Sequence, residues 1–281
     1  MRKTCAGVVA GVLGVLLLSA PAAAQGDAPR SLWKYYPEDV RANAGPGGDA
    51  PVRDLTGTWA GGSSGAGVGR GGGFAPPPFT PLGQQLDDLI LPMRIYSPGG
   101  TNDPHARFCD PLGFPRNMND QILSMTLATG PDRTFIMIKF MNIWREIWTD
   151  GRDLPTNVGG RGPDAHDPTY NGYSIGRWED DYTFVVETTG MAPETWATET
   201  GYPHSATAHV TERFHRSSEN DLTVTTTMDD PTLYTRPFPM GEVYFRWIPS
   251  QTFFDFKCVP SLVQRYLDEM ADPAGDPGAG Q

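Results

Sequence analysis

Between residues 121 and 258 the chain is written in short runs of β-forming residues punctuated by turn chemistry, and this pattern limits the available folds more than any other feature. Gln121 to Ala128 meets a Gly130-Pro131-Asp132 turn and resumes as Thr134 to Phe140, and Ile143 to Thr149 stops at Asp150-Gly151. Tyr173 to Trp178 turns through Glu179-Asp180-Asp181 into Tyr182 to Glu187, a further hairpin. Ala208 to Arg216, Leu222 to Met228, Val243 to Ile248 and Phe253 to Cys258 complete the series. Tight turns without intervening helical spacing imply an all-β fold, an antiparallel barrel or sandwich of about eight or nine strands.

Helical signals are confined to the margins. Thr80-Pro81 reads as the cap and first position of a short helix with Leu82, Leu86 and Leu89 on one face. Ser261 to Met270 has helical spacing too, with Ser261 as the expected cap and Val263, Tyr266, Leu267 and Met270 packing inward. The stretch 61–81, glycine-rich and then proline-rich, cannot bury a core and reads as a loop inserted after the first strand. The Asp/Pro/Gly-rich tail after Met270 is expected to be disordered.

Arg2 and Lys3 precede an apolar run from Ala6 to Leu18, and Ala22-Ala23-Ala24 supplies small residues for cleavage before Gln25, the grammar of a secretory signal peptide. No later stretch is long and apolar enough to suggest a helical membrane span, so a soluble periplasmic or secreted protein is expected. The organisation read from these cues is a signal peptide over 1–24, an extension over 25–53, a single β domain over 54–260, and a short helix with its tail over 261–281. Cleavage removes Cys5 and leaves Cys109 and Cys258, an even pair for which a disulfide is the expected reading in an exported chain and two buried thiols the alternative.

Acidic residues number 33 against 22 basic ones, a balance that argues against nucleic acid and anionic membrane surfaces as partners. Gly67-x-Gly69-x-x-Gly72 has the letters of a dinucleotide fingerprint but runs into prolines instead of a helix, so no nucleotide cofactor is expected. Gly172-Tyr173-Ser174-Ile175-Gly176 has the letters of a hydrolase nucleophile elbow, yet a charged turn and a second strand follow where a helix is required.

Tyr202 to Arg213 gathers His204, His209, Glu212 and Arg213, residue types that transfer protons or bind anions and metals. Strand alternation sends His209 and Glu212 to opposite faces, so a shared metal is not expected there. His204 or His209 acting as acid/base, with Arg213 or Arg145 stabilising negative charge, is the catalytic alternative. In Ile143 to Thr149, Trp144, Glu146 and Trp148 face one way while Arg145 lies between two isoleucines on the other. A buried arginine there either lines a ligand cavity or completes an ion pair. Trp144, Trp148, Tyr173, Trp178 and Glu212 are the candidate ligand-contacting residues, the aromatic ones as walls. Asp229-Asp230-Pro231 reads as turn chemistry or as a carboxylate partner for a histidine.

Gly57-Thr58-Trp59, after Leu55, resembles the G-x-W opening of lipocalins and related calycin barrels, and Arg246 on a late strand is the counterpart of the arginine that covers that tryptophan. The motifs Cys109-Asp110-Pro111, Arg145-x-Ile147-Trp148-Thr149-Asp150-Gly151-Arg152, Gly172-x-Ser174-x-Gly176-x-Trp178-Glu179 and Pro203-His204-Ser205 extend the resemblance to a family of lipocalin-like exported bacterial proteins. This resemblance implies a barrel around a small hydrophobic or aromatic molecule, with Arg145, His209 and nearby aromatics lining the cavity. It carries no activity with it. The competing expectation is a cofactor-independent isomerase, hydratase or lyase on the same barrel, followed by a serine hydrolase or a metalloprotein.

Overall fold

The structure is a computed structural model, and it describes residues 46–61, 77–92, 100–119, 124–249, 251–252 and 255–271, with side chains as far as 269. The expected signal peptide, most of the expected extension, the bulk of the Gly/Pro insertion and the tail beyond 271 lie outside the described residues.

Nine strands among the described residues close into one barrel, each hydrogen-bonded to its neighbours in chain order, with the last returning to the first. They are β1 (Gly57–Gly61), β2 (Ser124–Thr129), β3 (Arg133–Ile138), β4 (Ile143–Trp148), β5 (Tyr173–Trp178), β6 (Thr183–Thr189), β7 (His209–Arg216), β8 (Asp221–Asp229) and β9 (Phe238–Trp247). Closure leaves no strand at the edge of an open sheet, the hazard of such folds. Two expectations need correction. Residues 255–258 carry no strand, and β9 begins at Phe238, well before Val243, because its register shifts between Thr226 and Thr227 of β8 and accommodates Pro239.

The pairing is antiparallel throughout except between β4 and β5, which run parallel and touch only through Ile147–Ser174 and Trp148–Ile175. An antiparallel barrel was expected, but parallel neighbours require a connection that carries the chain back along the wall, and residues 149–172 do this. The two ends of the barrel therefore differ. Tight turns join β2 to β3, β5 to β6 and β7 to β8 at one end, while the long connections β1–β2, β6–β7 and β8–β9 gather at the other.

That second end is stoppered from within. The β1–β2 connection contributes α1 (Pro81–Asp87), α2 (Pro104–Phe108) and α3 (Arg116–Asn119), all four residues of α3 being buried. Phe114 and Met118 belong to the same continuous apolar core as Trp59, Phe184, Val224 and Phe245. Asn119 accepts a hydrogen bond from Thr226 of β8 at 3.0 Å, and a buried Arg116–Asp103 pair at 2.8 and 2.9 Å holds α3 to the start of α2. Gly113, with φ +76°, lies against Thr195 of the β6–β7 loop so closely that a Cβ would collide with it.

Thr80 caps α1 by accepting from the Gly83 N–H, but the helix docks through Gly83 and Asp87, leaving Leu82, Leu86 and Leu89 exposed. The reason is close approach: a side chain at Gly83 would strike the Leu233 carbonyl, so the contacting face carries the smallest residue and not the leucines. At the other margin α4 (Pro260–Tyr266) is preceded by Val259 in the cap position, with Pro260 at its first turn, so Ser261 is not the cap. Leu267 is buried and Tyr266 exposed. Cys109, the left-handed C-cap of α2, is disulfide-bonded to Cys258 just before α4.

Trp59 is fully buried and donates its indole N–H to the Leu55 carbonyl at 3.0 Å. The arginine over its ring is Arg216 of β7, 4.8 Å from the centroid, and not Arg246. Arg246 instead pairs with Asp221 on neighbouring β8. Arg216 points inward because β7 alternates Val210, Glu212, Phe214 and Arg216 into the barrel, and it donates to the carbonyls of Asp54, Ser218 and Glu219.

Candidate ligand pocket at the β4–β5 seam

Because β5 pairs with β4 only at Ile147 and Trp148, the first half of β4, bonded to β3 on one side, has no strand on its β5 side. Loop residues fill that position. Asn171 donates its amide to the Trp144 carbonyl at 3.2 Å and accepts from the Asn117 amide of α3 at 2.8 Å. A pocket of about 710 Å³ opens at this seam between β4, the start of β5 and the crossover 149–172. Its volume lies within the range of small-molecule sites, roughly 300–1,000 Å³.

Trp144, Trp148, Tyr173, Ile175, Leu154 and Tyr170 give the pocket its apolar walls. Asn117, Arg145 and Ser174 are its buried polar residues, and Glu146, Arg152, Asp153 and His166 also line it. Trp144 is 62% exposed, an open indole beside Phe135 on the outer wall. Trp148 is held differently: the guanidiniums of Arg133 and Arg152 lie over its ring at 3.6 and 3.4 Å. Both cations are anchored in turn, Arg133 by Asp132 and Glu146, Arg152 by Asp150. These hydrogen bonds hold the Asp132 and Asp150 carboxyls below the usual carboxylate range.

Behind the pocket lies a charged network inside the barrel. Arg145, flanked on the inner face of β4 by Ile143 and Ile147, donates to Glu212 of β7 at 2.8 and 3.1 Å. The same guanidinium reaches Ser174 at 3.2 Å and Thr188 at 3.3 Å, and the Phe114 ring covers it at 3.8 Å. Of the two readings open for Arg145, the ion pair is realised, at the edge of the pocket. Two buried polar atoms here, Arg145 Nε and Asn117 Oδ1, have no hydrogen-bond partner. The orientation of Asn117 is set by the Asn171 relay, since Asn171 spends its own donor on Trp144 and must turn its oxygen toward the Asn117 amide.

The remaining candidates scatter. His204 is 3% exposed in the β6–β7 loop, its Nε2 2.9 Å from Thr195 Oγ1 and its Nδ1 3.3 Å from the Ser205 carbonyl, and burial pushes its pKa down. His209 and Arg213 stand on the outer face of β7, contrary to the expectation that His209 lines the interior, because the inward positions of this strand belong to Val210, Glu212, Phe214 and Arg216. Arg213 pairs with Glu179 across that outer surface. The structure thus does not assemble His204, His209, Arg213 and Arg145 into one constellation. Trp178 packs inside against Phe184, at a ring separation of 5.2 Å, and is not part of the pocket.

Ser174 sits within strand β5 with its hydroxyl 2.9 Å from Thr188, so the G-x-S-x-G letters do not form a nucleophile elbow. Asp230 is buried and receives the Ser205 N–H at 2.7 Å and its hydroxyl at 2.9 Å, a loop-fixing role. Among the described residues no group of three or more His, Cys, Asp or Glu side chains is arranged to hold a metal ion. Asn117 and Asn171 were missed in the sequence. They belong to a buried four-residue helix and to a loop, neither of which has a periodicity that marks an inward face. In comparisons with known proteins the chain matches no family model, no curated protein and no solved structure.

Proposed function

We propose that this protein is an exported barrel that binds a small aromatic molecule at the β4–β5 seam, outside the packed interior. The observation that carries the reading is the pocket itself: about 710 Å³, walled by aromatic and aliphatic side chains, with an exposed indole at Trp144. Rigid strands and a hydrogen-bonded asparagine relay hold these groups in place, the preorganisation that limits the ordering cost of binding. Trp144, Trp148 and Tyr173 contact the ligand in this reading, whereas Trp178 and Glu212 stabilise the barrel. The Cys109–Cys258 disulfide supports an oxidising compartment, and no helix among the described residues is long and apolar enough to cross a membrane.

An NMR titration with 3-methylindole, following tryptophan indole N–H signals, tests the proposal. The Trp144 and Trp148 signals are expected to shift with saturable dependence while that of buried Trp59 stays in place. Saturable movement of Trp59 alone, or no saturable movement of any indole, would oppose it.

A further inference from the structure

We infer that this pocket, taken as the aromatic site proposed above, selects a planar aromatic ring bearing an alkylamine, cationic at neutral pH, over the corresponding acid. An acid needs an uncommitted cation, and neither arginine at the pocket provides one. Arg145 is neutralised by the bidentate Glu212 carboxylate inside the barrel, and Arg152 is bound to Asp150 through several hydrogen bonds of 2.7–3.1 Å. A ligand carboxylate would have to displace one of these partners and leave a carboxylate unpaired, at Glu212 a fully buried one.

The open valences favour a donor. Asp153 lines the pocket, is exposed, and has no ion-pair partner among the described residues. Glu146 commits one oxygen to Arg133 at 2.6 Å. The remaining unpartnered donor, Arg145 Nε, belongs to the already neutralised pair and gives an anion no net charge to bind. Trp144 adds an exposed π face, to which a cation is attracted. The chain as a whole carries a formal charge of −11 at pH 7, so the long-range field draws cations and repels acids.

Three ligands with one ring system separate charge preference from aromatic binding: tryptamine, 3-methylindole and indole-3-acetate, titrated calorimetrically into the full chain. Tryptamine is expected to bind about tenfold more tightly than 3-methylindole, the sum of a cation–π contact and one exposed ion pair, with indole-3-acetate weakest. In Asp153→Asn the advantage of tryptamine is expected to shrink about threefold while 3-methylindole binds as before. If 3-methylindole binds and indole-3-acetate equals or exceeds tryptamine, the charge selection is overturned and the aromatic site stands. If none of the three binds, the aromatic site itself falls and the selection with it. Unchanged tryptamine binding in Asp153→Asn would overturn the role given to Asp153.

Discussion

Arg145 of β4 and Glu212 of β7 meet inside the barrel at 2.8 and 3.1 Å, with 1% and 0% of their side chains exposed. They join two walls separated in the sheet by β5 and β6. Such a pair specifies which strands face one another, because either charge alone is costly inside an apolar core. Glu212→Gln is expected to lower unfolding free energy by about 3–5 kcal/mol, since it strands the Arg145 charge. The double variant Arg145→Met/Glu212→Leu is expected to recover most of that loss in urea denaturation. Additive losses would mean that the two side chains act independently.

The arginine over Trp59 supplies a second comparison. Arg216 is 4% exposed and donates to three backbone carbonyls, so Arg216→Ala removes both its packing on the indole and the partners of buried acceptors. A cost of about 3 kcal/mol follows from hydrogen bonds to a charged donor. Arg246→Ala breaks only a partly exposed pair with Asp221 and is expected to cost less than about 1 kcal/mol. Chemical denaturation of both variants checks the order, and a larger loss at Arg246 would reverse the assignment.

Acid sensitivity above the carboxylate range should come from buried histidine. Burial lowers the folded-state pKa of His204 and of His105 below their ordinary value near 6.5, so the unfolded chain takes up protons first. Their contribution is complete above about pH 6.5 and is lost progressively as pH falls from there toward the folded values. Melting temperature is expected to decline between pH 7 and pH 5, and the decline is expected to be shallower in His204→Gln. An identical slope in that variant would remove His204 from the account.

The disulfide ties the stopper to the start of α4 across a sequence separation of 149 residues. On the chain-entropy argument, Cys109→Ser/Cys258→Ser should lose at most about 5 kcal/mol. Because Cys109 ends α2 next to the segment that fills the barrel mouth, hydrogen exchange is expected to rise first in 109–119. Faster exchange confined to the hairpin end of the barrel would contradict that placement.

The strands were legible in the sequence because period-two alternation survives in β2, β4, β7 and β8, where one face is buried and the other wet. Alternation alone does not say which face is inside. On β7 both faces carry charge, and only packing reveals that Glu212 and Arg216 point inward while His209 and Arg213 do not. The same limit hid the docking face of α1, where a glycine and an aspartate outrank three leucines. The parallel β4–β5 contact, and hence the pocket, had no sequence signal, since two residue pairs and a long loop of no fixed period create it. Trp144, Trp148 and Tyr173 were expected from the sequence as aromatic walls of a barrel cavity; they line the seam pocket instead, since alternation placed Trp144 and Trp148 on one face without saying that it is the outer one.

Calorimetric binding of 3-methylindole to the wild-type protein, Trp144→Ala and Leu154→Trp tests the seam pocket most directly. Trp144→Ala removes the open indole, and Leu154→Trp fills the cavity from its wall without touching the core. Saturable binding by the wild type is expected, with a loss of at least about tenfold in each variant and melting temperatures little changed. Equal affinity in all three proteins would place the ligand elsewhere and contradict the account.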